Sequence, residues 1–141
     1  MSTYSTSLRL ELIANGAQVG NWGDTTNNNL GTLLEQAITG VTTITMLDTD
    51  YTLSNLNGAS DEARNAVLSV GGTNTAIRNV IAPLVEKTYW VYNGTTGGYN
   101  IIVKASTGTG VSIPNGAIQA VYCDGTNFYA ASVPYAGSTG T

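Results

Sequence analysis

Histidine is absent from this 141-residue sequence, and cysteine occurs once, at Cys123. The first absence removes the commonest general base, the Ser-His and Cys-His nucleophile pairs and the commonest zinc ligand. A lone cysteine forms no internal disulfide, and a structural zinc site lacks its donors. Charge is scarce too. Asp, Glu, Lys and Arg make up 10% of the residues, where an average globular chain has about 25%. No run of Lys or Arg exists, so no nucleic-acid partner is expected, and a net charge of −4 gives no attraction to an anionic membrane. No stretch reaches the roughly 18 apolar residues of a spanning helix, so no membrane insertion is expected. Met1-Ser2-Thr3-Tyr4-Ser5 lacks the basic and apolar regions of a secretory signal, which points to synthesis in a cytosol.

Thr, Gly, Asn and Ser supply the missing polarity. Thr suits strands because it is β-branched, and Gly and Asn suit turns because they tolerate positive φ. Nine segments after residue 40 read as short strands: 41–47, 51–53, 66–70, 77–81, 89–92, 99–104, 111–113, 118–123 and 128–132. Leu8, Leu10 and Leu12 alternate with Arg9 and Glu11 and predict a further half-buried strand. Asp124-Gly125 predicts a tight hairpin, Asn93-Gly94 to Gly97-Gly98 a longer one, and Asn115-Gly116 another turn. Read as hairpins, these turns give a mainly β fold, an antiparallel β-sandwich or jelly-roll-like domain.

One α-helix is expected near the N-terminus, at about residues 25–39. Asp24, Thr25 or Thr26 can cap its start, and Gly40 stands where a left-handed residue would end it. Leu30, Leu33, Leu34, Ala37 and Ile38 recur at helical spacing as one apolar stripe, expected to pack on the sheet or in a subunit interface. Trp22 is expected to anchor the helix to the sheet. The economical division is one domain over residues 1–133, then a small, polar, flexible tail over 134–141 that could dock on a neighbour.

The chemistry on offer is thin. Gly-Thr-Thr-Gly-Gly at 94–98 and Gly-Thr-Gly at 108–110 lack the Lys and the strand-to-helix context of a phosphate cradle. Asp48/Asp50 and Asp61/Glu62 are the close carboxylate pairs. Such pairs hydrolyse glycosides only when the fold sets them across a groove, and in turns they bond to nearby backbone instead. Asp61-Glu62-Ala63-Arg64 is expected to form local surface salt bridges. No enzymatic activity, metal or cofactor is expected. The eight Tyr and two Trp are the residues that interfaces and sugar sites favour. Alternation places Tyr89 and Val91 on one face of their strand and Trp90 and Tyr92 on the other. Trp90, Tyr92 and Tyr99 are therefore candidate contacts for a partner subunit or a glycan, against the alternative that both faces are packed inside a sandwich.

The stretch Asn21-Trp22-Gly23-Asp24-Thr25-Thr26-Asn27-Asn28-Asn29-Leu30, running on through Leu33-Leu34-Glu35-Gln36-Ala37-Ile38-Thr39-Gly40, resembles a segment near the N-terminus of phage tail-fibre-like proteins. Thr52 to Leu68, Arg78 to Pro83 and Tyr122 to Phe128 are similar to the same group, so the likeness covers most of residues 4–132. It implies a virion component, assembled in the host cytoplasm, β-rich, non-catalytic and homotrimeric. It also implies contacts with other tail or baseplate proteins and a part in tail assembly or host attachment. The family's fibres often continue into a long shaft and tip, which this sequence does not show. Two alternatives stand beside a tail role: a capsid decoration protein, or a module that binds host surface glycan.

Overall fold

The computed structural model describes residues 3–135 and is mainly β, with two sheets enclosing one core and a single helix near the N-terminus. A two-stranded hairpin pairs β1 (Thr3–Tyr4) with β2 (Glu11–Leu12). Next comes the helix. Its three parts are α-helical Trp22–Asn28, π-helical Asn29–Leu34 and α-helical Glu35–Thr39. The strands that follow are β3 (Val41–Met46), β4 (Tyr51–Thr52), β5 (Val67–Gly72), β6 (Arg78–Ile81) and β7 (Lys87–Asn93). β8 (Ile101–Lys104), β9 (Val111–Ile113), β10 (Ile118–Cys123) and β11 (Phe128–Ala130) complete the set. The strand positions expected after residue 40 are all occupied, to within a few residues.

The order of strands differs from the antiparallel expectation. One sheet runs β11-β10-β7-β5-β3 and the other β4-β6-β8-β9, so the chain crosses between sheets at almost every turn. β3, β5 and β7 lie parallel in the first sheet, and β4, β6 and β8 lie parallel in the second. The middle of the chain is therefore a two-layer β-sandwich, as expected, wound as a flattened coil of parallel neighbours. Antiparallel pairing enters only at its end, through β9, β10 and β11. Residues 94–100 do not close a hairpin between β7 and β8, because those strands belong to opposite sheets. Turn residues signal a change of direction. They do not encode whether the next strand lies beside the last one or faces it across the core.

Alternation fills the space between the sheets. Leu68, Val70, Val91 and Val121 from the first sheet meet Val80, Ile101, Val103 and Ile113 from the second, all fully or nearly fully buried. Tyr89 and Phe128 stack in the same core with ring centroids 6.4 Å apart. Asn93 is the one fully buried polar residue on β7, and its amide is saturated. It donates to the carbonyls of Tyr99 and Ile113 and accepts from the Thr95 backbone and hydroxyl, so its burial costs little.

Several local expectations are corrected. Residues 8–13 do not form a half-buried strand. Arg9 takes a positive φ of 55° that breaks it, and Arg9 is buried while Leu12 is half exposed. The helix starts at Trp22 behind Asn21, and no side chain caps it, so Asp24, Thr25 and Thr26 lie inside it. Gly40 ends the helix in an extended conformation, φ −70° and ψ 138°, not a left-handed one. Glycine is needed there for space: a Cβ would run into Asn65 Oδ1 and the Gln36 carbonyl. At the start of the expected tail, Tyr135 exchanges backbone hydrogen bonds with Ile118. The rest of the expected tail lies outside the described residues.

Candidate functional site

Asp61 sits at the centre of the only buried ionic cluster among the described residues. It precedes a short 3₁₀ turn, Glu62–Arg64, and caps it by accepting from the Arg64 N–H at 2.7 Å. Its other oxygen accepts from Arg9 Nη2 at 2.7 Å and from the Leu56 N–H at 2.7 Å. Arg64 donates to the carbonyls of Leu56 and Ala59 and is fully buried, with Nε and Nη1 lacking a partner. These are not the exposed salt bridges expected from Asp61-Glu62-Ala63-Arg64. The stretch reads as a surface run, and only the distant Arg9 makes it an interior one.

Two positive guanidiniums around one carboxylate leave the cluster with excess positive charge. Burial lowers the pKa of Arg64, an effect that Asp61 offsets. Lys87 is close by, over the Tyr89 ring at 4.5 Å from its centroid. Burial, reinforced by Arg9 and Arg64, holds its ammonium down at about 8. The Tyr89 hydroxyl donates to the Ala63 carbonyl, and burial pushes its pKa above the usual phenol range. Apart from Arg64 Nε and Nη1, the charged groups here bond backbone or another side chain. The described residues enclose no pocket and hold no group of three or more His, Cys, Asp or Glu side chains.

Asp48, Asp50 and Glu62 act as clasps between segments of the coil. Asp48 accepts from the Thr75 N–H and hydroxyl and from Arg78. Those bonds, with Thr75 contributing most, hold its carboxyl down at about 2. Asp50 accepts from the Asn79 backbone and amide. Asp48 and Asp50 thus tie the bend after β3 to the approach and start of β6. Glu62 accepts from the Tyr51 hydroxyl and the Ser54 N–H.

Asparagines that weaken a helix in isolation join the N-terminal layer to the body. Asn28 donates to the Gly58 carbonyl. Asn29 accepts from the Glu11 N–H and donates to the Glu11 carbonyl, taking the place of a neighbouring strand. Thr25 bonds Gln18, and Gln18 bonds Glu11.

The expected helix packing is only partly present within one chain. Leu33 is fully buried and Leu34 is half-buried, whereas Trp22, Leu30 and Ile38 are 62%, 58% and 67% exposed. Trp22 therefore does not anchor the helix to the sheet. The π-helical turn is the physical reason that the stripe divides. It is wider than an α-turn, so residues three and four apart no longer share one face across Asn29–Leu34.

On β7, Tyr89 and Val91 point into the core, while Trp90 and Tyr92 point outward. Trp90 stands opposite Ala120 on β10 and Val67 on β5, and Val67 stands opposite Val41 on β3. Tyr122 and Tyr129 pair across β10 and β11 on the same outer face, with ring centroids 5.4 Å apart. Only the β10-β11 register brings these two together. Tyr99 lies apart from this group, in the connection to the second sheet. Compared with known proteins, the chain matches no family model, no curated protein and no solved structure.

Proposed function

We propose that this chain is a structural component of a phage virion, a tail-fibre or baseplate-associated protein that works by packing against copies of itself and neighbouring tail proteins. The observation that carries this reading is the uncovered apolar surface of the helix, where Trp22, Leu30 and Ile38 face outward. A chain that spends so few charges on its surface and leaves large apolar side chains uncovered is built for contact. The resemblance of residues 21–40 to the N-terminal segment of tail-fibre-like proteins falls on that same helix. A homotrimer follows from the resemblance, with the helix stripe in the subunit interface.

Gold-labelled antibody against the chain, imaged on purified virions, tests the reading. Label on fibres, baseplate or tail tip is the expected result. Label spread over the head would make it a capsid decoration protein, and particles without label would sink the virion assignment.

A further inference from the structure

We infer that the outer face of the β11-β10-β7-β5-β3 sheet is the surface on which a second copy of this chain docks. The inference rests on the assembly reading in one respect, that copies meet, and adds where they meet. Trp90 on the central strand is 43% exposed, Tyr122 and Tyr129 towards the β11 edge are 40% and 39% exposed, and Val41 is 65% exposed at the β3 edge. The row Val41, Val67 and Trp90 runs across three strands without a polar side chain, and Ala120 beyond Trp90 is already buried.

None of the outward positions on the five strands carries Asp, Glu, Lys or Arg. Lys87 and Asn93 fall on the inward alternation of β7, and the outward face of the opposite sheet carries Lys104. The chain has a net charge of −4, so two copies repel at most approaches. A charge-free face lets them close without setting like charge against like. A sugar would need fixed amides, carboxylates or guanidiniums to orient its hydroxyls, and a concavity to hold it. The outward positions offer only hydroxyls from Thr, Ser and Tyr, and no pocket opens among the described residues.

Area decides how the face is used. Strands of 6, 6, 7, 6 and 3 residues, at about 3.3 Å per residue and spaced about 4.8 Å apart, give roughly 440 Å². A stable interface needs about 800 Å² from each partner. The sheet face supplies about half, and the uncovered helix is the neighbouring source of the rest. Val41 begins the apolar row three residues after exposed Ile38.

Hydroxyl-radical footprinting of the native chain reads the exposure of Trp90, Tyr122 and Tyr129 beside sedimentation equilibrium, over a wide concentration range. Expected are concentration-dependent assembly, protection of the three rings in step with it, and weakening by about a hundredfold in a Trp90→Thr/Tyr122→Thr variant. Assembly with the three rings still reactive would overturn the docking face and leave the assembly reading standing. A native chain that stays monomeric throughout would overturn both. Saturable protection of the rings in the monomer by host polysaccharide would replace the second copy with a glycan. Should the double variant fail to fold, the footprint of the native chain decides alone.

Discussion

Residues 3–40 and residues 41–135 are held by different forces. In the coil, inward side chains of both sheets are excluded from water and every strand has ladder partners. In the N-terminal layer, Leu33 and Arg9 are the only buried residues among those described. Directional bonds hold that layer instead: Arg9 to Asp61, Asn28 to Gly58, Asn29 to Glu11. Hydrophobic burial is non-directional and accumulates with area, whereas an ion pair or amide bond is lost whole when one partner goes. The layer should therefore open as a unit while the coil stays closed.

Asp61→Ala gives the sharpest separation of the two regions. It leaves Arg9 and Arg64 buried without their carboxylate, and a loss of about 3–5 kcal/mol is expected. Hydrogen exchange should rise first around residues 9–12 and 28–29, with β5 and β7 staying protected. Simultaneous loss of protection in both regions would erase the distinction. Leu68→Ala should cost about 2–5 kcal/mol and destabilise the coil, read as a lower midpoint of chemical unfolding. Gly72→Ala comes next, at about 1–3 kcal/mol from the backbone alone. Gly72 has a φ of 95°, and an added Cβ would meet the Met46 carbonyl.

A pH scan targets the boundary between the regions. Lys87 has a folded pKa depressed to about 8, so the unfolded chain binds more protons between there and the ordinary lysine value. Stability should rise from about pH 8 towards pH 10, where unfolded tyrosines begin to ionise and buried Tyr89 resists. Lys87→Met should flatten the rise, and a rise of equal size in that variant would assign it elsewhere. The smallest effect on folding is expected for Leu30→Gln with Ile38→Gln, within about 0.5 kcal/mol, because both side chains are exposed in the single chain. The same pair should weaken assembly, which sedimentation would read.

The two regions also differed in how far the residues foretold them. In the coil, period-2 alternation and turn residues located β9 and β10 to the residue, since burial on a pleated sheet is a local pattern. Strand order escaped, because parallel and antiparallel neighbours present the same alternation. In the N-terminal layer, Leu8, Leu10 and Leu12 carried a strand pattern that the left-handed turn at Arg9 overrode. The partner that draws Arg9 inward is 52 residues away, so no window around Arg9 contains the cause. The aromatic outer face was half legible: alternation gave Trp90 and Tyr92, but Tyr122 and Tyr129 join them only through the β7-β10-β11 register.

The coil has a mechanical consequence. Its parallel strands repeat at steps of 26 and 23 residues, from Val41 to Val67 to Trp90, while each step advances only about 4.8 Å across the sheet. Tension applied along that stacking direction peels one ladder at a time. Tension along the strands loads every bond of a ladder together. A chain with this architecture withstands pulling along its strands and yields coil by coil when pulled across them, releasing more than twenty residues of slack at each step.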